Sequence, residues 1–224
     1  MLKELFVMKI ALFGANGTIG QRITLEALVR GHEVMAITRH PEHFPIAHPR
    51  LKVVQGDILD AGSVAEAVTG SDVVINATGP AHNESVDVHT FYRDSTHAAI
   101  EGVKRAGVKR LLVIGGAGSL EVAPGVQLVD TPEFPAAWKG GASALRDALS
   151  IYRASDVNWT FFSPSALIVP GKRTGQYRTG TDQLQVNDQG ESYISAEDYA
   201  VAFIDEIEKP QFERQRFTAV SLSK

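Results

Sequence analysis

Gly14-Ala15-Asn16-Gly17-Thr18-Ile19-Gly20 follows the apolar run Ile10-Ala11-Leu12-Phe13 and leads into a helix-patterned segment at 21–30. The order is strand, tight glycine turn, helix N-terminus. Such a turn lets backbone approach a pyrophosphate, and the free N–H groups and dipole of the helix end favour its negative charge. Three glycines alone also describe an ordinary turn. The place of this one, after a first strand and ahead of a parallel-sheet pattern, points to a dinucleotide. Gly14, Asn16, Gly17, Thr18, Ile19 and Gly20 are therefore assigned to the cofactor.

Reading on, 33–38 forms a second strand after Gly31, and 51–57 a third. Asp60 caps a short helix that ends near Gly70, and 72–77 is a fourth strand. A helix over 89–106 stops at Gly107, strand 110–114 follows, then a helix over 136–154 and strand 159–162. Ser195 caps a helix with an acidic first turn that runs to about residue 209, and 216–220 returns as a last strand. Helices alternating with apolar, β-branched strands imply an α/β fold: a Rossmann-like, doubly wound parallel sheet covered on both faces. Residues 170–190 are polar and Gly-rich, so they are expected to be irregular or short-stranded above the carboxyl ends of the sheet. The reading is one domain over 1–224, with 163–195 as a small, irregular substrate-side region.

Composition removes several classes of function. The chain has 224 residues, 22 Lys plus Arg and 26 Asp plus Glu, a net charge of −4. With no excess of positive charge, nucleic acid is not an expected partner. The absence of cysteine excludes disulfides, thiolate metal sites and cysteine nucleophiles, and no metal site is expected. Lys3, Glu4 and Lys9 interrupt the apolar stretch 2–12, which reads as first strand rather than signal peptide. No stretch is long and apolar enough for a bilayer span. The expectation is a soluble, cytoplasmic protein, monomeric or a small homo-oligomer, that works on a small molecule.

In this architecture ligands bind beyond the carboxyl ends of the strands. Thr38-Arg39 follows the second strand, where an NAD site would carry an acidic residue; no carboxylate stands there. Arg39 is read either as a partner of a 2′-phosphate, which favours NADP(H) with NAD(H) as the alternative, or as a solvated arginine. Asp57, with Ile58 beside it, either accepts from the adenine amino group or shapes a turn. Ala77, Thr78 and Gly79 are small enough for a cofactor to lie flat on the backbone, and His82 beyond them either touches substrate or is solvated. After the fifth strand come Gly115 to Ser119. They form either a plain turn or a cofactor-side segment with Gly115 at the cofactor and Ser119 orienting nicotinamide or substrate.

Taken together and in order, Gly14 to Gly20, Gly56-Asp57, Asn76-Ala77-Thr78-Gly79, Leu111 to Leu120, Trp159 to Ser165 and Ser195 to Ala200 resemble the atypical short-chain dehydrogenase/reductase superfamily. Within it the chain is similar to the NADH-flavin reductase group, relatives of biliverdin IXβ/flavin reductase and of NmrA-like proteins. The resemblance covers nearly the whole chain. It implies an NAD(P)-binding oxidoreductase, with Ser119 as the candidate catalytic residue. Ordinary members carry a Tyr-x-x-x-Lys pair; here Trp138 stands where the tyrosine is expected, with Ala142 four residues on, and Tyr152 is followed four residues later by Asp156. An indole N–H donates a hydrogen bond but is no proton source near neutral pH. That loss fits an NADPH-dependent reductase of a flavin or similar conjugated acceptor, for which the protein chiefly aligns two rings. His82, Trp138, Phe162 and Pro164 are the candidate substrate residues, packing being the alternative for Trp138. The rival from another class is a non-catalytic NADP(H)-sensing regulatory protein of NmrA type.

Overall fold

The computed structural model describes residues 7–80 and 87–223. His82, and residues 2–6 of the first apolar stretch, lie outside the described residues. In chain order the elements are β1 (Lys9–Phe13), α1 (Thr18–Val29), β2 (Glu33–Thr38), β3 (Leu51–Gln55), α2 (Ala61–Val68), β4 (Val73–Asn76), α3 (Val88–Ala106) and β5 (Leu111–Ile114). They continue with β6 (Glu121–Ala123), β7 (Val126–Gln127), α4 (Ala136–Ala154), β8 (Trp159–Ser163), β9 (Leu167–Val169), β10 (Tyr177–Gly180), β11 (Tyr193–Ser195), α5 (Ala196–Glu208) and β12 (Gln215–Ser221).

The main sheet runs β10-β12-β8-β5-β4-β1-β2-β3, parallel throughout except for β10, which pairs antiparallel with β12. The chain builds outward from β1 to β2 and β3, then returns to the other side of β1 with β4. The crevice between the two directions therefore opens above the carboxyl ends of β1 and β4. One face of the sheet is covered by α1 and α5, the other by α2, α3 and α4. Ile10, Leu12, Phe162 and Phe217 point into the first core; Ala11, Phe13, Leu111 and Phe161 into the second. The central strands β1, β4, β5 and β8 bury side chains on both faces, which is why their sequences read as continuous apolar runs rather than alternations.

Helix starts follow local capping chemistry. Asp60 accepts from the Ser63 N–H at 2.9 Å, Asp87 from Thr90 at 2.8 Å and Ser195 from Asp198 at 2.9 Å. Each cap satisfies one of the backbone donors that a helix start leaves unpaired.

Part of the 170–190 segment does something that its polar sequence does not announce: Tyr177–Gly180 is β10, which closes the edge of the main sheet along β12. Short β9 and β11 pair in parallel as a separate ladder. Polar anchors hold this region where apolar ones are few. Buried Asp198 accepts from Thr174 N–H, Thr174 Oγ1 and Gly175 N–H at 2.7, 2.6 and 2.8 Å. Arg173 forks onto buried Glu26 at 2.7 and 2.8 Å, a bidentate geometry that fixes the loop to α1.

Candidate functional site

A cleft of about 380 Å³ lies over the carboxyl ends of β1 to β4. It brings together Gly14, Asn16 and Gly17 from the β1–α1 turn, Thr38 and Arg39 after β2, Asp57 and Ile58 after β3, and Ala77, Thr78 and Gly79 after β4. These segments are separated by up to 65 positions, and the sheet alone makes them neighbours.

The three glycines of the turn are glycine for three different reasons. Gly14 has φ +78°, and a Cβ on it would lie 2.4 Å from the Ala77 carbonyl oxygen. A Cβ on Gly20 would lie 2.1 Å from the Gly14 carbonyl oxygen, so this position lets α1 pack on its own turn. Gly17 needs neither. Its φ of −70° and ψ of 163° are open to any residue, and its Cβ would meet only the Gly14 oxygen, at 3.3 Å. Gly17 is the N-cap of α1, and no side chain caps that helix start. A bare backbone at a helix N-terminus, with neither a positive φ nor a severe clash to demand it, is what a pyrophosphate requires. The residues present thus fit a dinucleotide. Thr18 is exposed at the start of α1 and Ile19 packs half-buried toward the α1/α5 core, so they contribute backbone rather than side chains to the turn.

The rest of the cleft is ordered by short polar contacts. Thr38 Oγ1 accepts from Asn16 Nδ2 and from the His40 N–H, both at 3.2 Å, which joins the ends of β1 and β2. Asp57 accepts from the Leu59 N–H at 3.0 Å, so it shapes its turn while lining the cleft. Arg39 is exposed at the rim. Buried Asn76 accepts from the Thr78 N–H at 3.1 Å and from Thr78 Oγ1 at 2.6 Å, which fixes the small-residue step at the end of β4.

A second cleft, about 330 Å³, opens above β5 and β8 and is mostly apolar. Gly116 to Gly118 form its floor, and Phe134, Trp138, Leu145, Pro164 and Ile168 stand around it. Trp138 and Pro164, proposed from sequence as substrate residues, do meet here. Trp138 is 61% exposed, an unusual setting for an indole without a partner surface. Because β4 and β5 are neighbours in the sheet, the two clefts lie side by side along one edge.

Three other sequence expectations come out differently. Phe162 is fully buried, stacked at centroid distances of 3.9 Å on both Tyr199 and Phe217, and belongs to the core. Side chains alternate along β8, and Phe162 faces α5 while its neighbours Phe161 and Ser163 face the other way. Ser119 is 2% exposed and lines neither cleft; Arg216 Nη1 donates to its Oγ at 2.9 Å and to its carbonyl at 2.8 Å. The short 3-10 turn at Ala117–Ser119 folds the hydroxyl back beneath the cleft floor. Gly115 is buried as well. A Cβ there would lie 2.1 Å from Phe161 Cε1, so its small size makes room for that ring. Tyr152 offers no substitute acid: it is fully buried against Trp159 and Phe161, and burial pushes its phenol up to about 12.

Sequence reasoning passed over Tyr92 and Arg216. Neither lies in a recognisable motif: the packing of α3 sets the Tyr92 hydroxyl beside Gly79, and β12 sets Arg216 beneath the floor of the second cleft against Ser119. Arg216 is buried and also donates to Asp182, at 2.9 Å through Nε. It thereby ties the cleft floor to the 182 loop.

Among the described residues, no helix is long and apolar enough to cross a membrane. Solved structures resemble the chain over nearly its full length. One from Burkholderia pseudomallei, named as a candidate exported protein, is 50% identical, with TM-score 0.86 over 96% of this chain and all of that one. One from Bacteroides thetaiotaomicron, named as a candidate epimerase, is 43% identical, with TM-score 0.88 over 97% and 99%. One from Streptococcus pneumoniae, named as a candidate NADH-flavin reductase, is 34% identical, with TM-score 0.84 over 96% and 99%. Residues 14–210 match the NAD(P)H-binding family, a span that begins at the first glycine of the turn and takes in both clefts. On that match and the glycine cradle that explains it, the chain belongs to the NAD(P)H-binding family of Rossmann-fold proteins.

Proposed function

We propose that the protein is an NADPH-dependent reductase that delivers hydride to a flavin or a similar conjugated small molecule. The observation that carries this reading is the pairing of two clefts on one sheet edge: a glycine-cradled one for the dinucleotide and, beside it, an apolar one with an exposed indole. A reduced nicotinamide supplies the hydride when bound. The chain's own residues then bind, align and shield. Gly14, Gly17 and Gly20 shape the phosphate turn, Arg39 selects the 2′-phosphate, and Ala77 to Gly79 let the cofactor lie against backbone on its way toward the second cleft. Trp138, Pro164 and Leu145 offer flat and apolar surface to a ring system, and stacking of this kind orients it without charge.

No Tyr-x-x-x-Lys pair is present, and Tyr152 is shut away in the core. An acceptor that takes hydride into a conjugated ring and its proton from solvent matches that inventory better than an isolated ketone, whose reduction leans on a general acid. The name of the Streptococcus relative agrees with this reading; that of the Bacteroides relative points to epimerase chemistry, for which the missing tyrosine is a disadvantage. A reductase supplied by the NADPH pool fits a cytoplasmic setting.

The test is steady oxidation of NADPH by the purified chain with riboflavin or FMN as acceptor. Turnover that saturates in both substrates supports the reading. Tight NADP binding without turnover on any acceptor overturns it in favour of a cofactor-sensing protein.

A further inference from the structure

We propose that the Tyr92 hydroxyl is the hydrogen-bond donor that this chain presents to the reacting ring, at the junction of the two clefts. The role rests on the reductase reading above and adds a named group to it.

Tyr92 stands on the first turns of α3, and its side chain reaches back over the end of β4. A Cβ built on Gly79 would lie 3.3 Å from the Tyr92 hydroxyl oxygen, so that oxygen sits directly beside the small-residue step of the dinucleotide cleft. Tyr92 also borders a narrow void that shares Thr78 with the dinucleotide cleft and Leu145 with the apolar one. The hydroxyl is thereby positioned between the two sites that must exchange a hydride.

Its orientation is fixed by packing. Phe91, which lines the dinucleotide cleft, meets the Tyr92 ring edge to face at 5.4 Å and 83°. The ring is half-buried against the core formed by α2, α3 and α4, and its hydroxyl lies against Gly79.

Several other hydroxyls near this junction are already engaged, Ser95 Oγ among them, which donates to the Tyr92 carbonyl at 3.3 Å. The Thr78 Oγ1 proton goes to Asn76 Oδ1 at 2.6 Å, Ser119 is held by Arg216, and Tyr152 is enclosed. Among the described residues the Tyr92 hydroxyl donates to no recorded acceptor. Burial also raises its pKa, so it stays a neutral phenol, able to donate, through the physiological range. A neutral donor aimed at a ring atom that gains electron density stabilises the transition state more than the ground state.

Y92F tests this in the full-length chain, since it keeps the ring and removes only the oxygen. With NADPH and riboflavin, kcat should fall about 10-fold or more, while NADPH affinity and the thermal midpoint stay close to wild type. A role confined to packing would lower the midpoint or the NADPH affinity and leave kcat in place. If wild type turns over and Y92F matches its kcat, this role alone falls. If wild type turns over no acceptor, the reductase reading and this role fall together, and the two failures are told apart by the wild-type assay.

Discussion

The Gly14 carbonyl oxygen stands 2.1 Å from where a Cβ on Gly20 would be, and 3.3 Å from where one on Gly17 would be. The same oxygen therefore forbids a side chain at the third glycine of the turn and leaves only a tight fit, relieved by a shift of a few tenths of an ångström, at the second. G20A should destabilise the fold by about 3 kcal/mol, because backbone atoms rather than a flexible side chain must give way. G17V should keep the fold by circular dichroism, with at most a modest drop in the thermal midpoint, while NADPH binding fails. Unchanged affinity in folded G17V would return the turn to an ordinary structural one.

Arg39 gives the second prediction, since it lines the rim after β2 with no carboxylate where an NAD site would carry one. R39D should reverse cofactor preference, costing NADPH about 1.5–3 kcal/mol through a lost charge-assisted contact and new repulsion. Titration of both cofactors against wild type, R39A and R39D reads the ratio directly. A ratio that R39A leaves untouched would remove Arg39 from the site.

Two aromatic residues should separate stability from activity. F162A opens a hole between Tyr199 and Phe217 and should cost about 3–5 kcal/mol of stability. W138A, at an exposed position, should change stability by no more than about 0.5 kcal/mol yet raise the acceptor KM several-fold. Chemical denaturation beside acceptor kinetics checks both. A W138A protein with wild-type acceptor KM would show that the second cleft does not hold the acceptor.

Ser119 should behave as a structural link. S119A removes one of the contacts that Arg216 makes there and keeps the carbonyl contact and Asp182. The expected cost is about 1 kcal/mol of stability, with NADPH affinity unchanged. Loss of turnover in S119A without loss of stability would place the hydroxyl in the chemistry after all.

The pH dependence of turnover follows from Tyr92. Burial raises its pKa above the ordinary 10.0, so the donating, protonated form is complete below that value and is lost only as pH rises through the raised one. Among the described residues, Tyr152, itself raised by burial, is the only other titratable side chain bordering the same void. Activity should therefore be nearly flat between about pH 6 and 8.5, with no general acid titrating in that range. A steep profile in that interval would reveal an acid or base outside this account.

Much of the fold was legible because its signals are local. Leu12-Phe13, Val73-Val74-Ile75 and Leu111-Leu112-Val113 are buried on both faces and so read as continuous runs, and Asp60 and Ser195 cap helices through atoms three residues away. The dinucleotide cleft was legible for a related reason: each of its segments sits where a strand ends, and strand ends can be found from pattern. Short strands were expected over 170–190, but that Tyr177–Gly180 joins the main sheet was not legible, because it has no apolar run and owes its place to β12 and to anchors such as Arg173 on Glu26.

The sequence by itself determined the α/β class, the order of strands and helices, the glycine turn and the missing Tyr-x-x-x-Lys pair, all properties of residues near one another in the chain. Only the tertiary structure decided which face each of these residues shows. It turned Phe162 into the core and Ser119 beneath the floor, left Trp138 at the mouth of a cleft, and brought Tyr92 from α3 beside Gly79. The physical reason is that a side chain's direction depends on pleat, helix phase and the elements packed against it, and those are set by contacts between residues far apart in sequence.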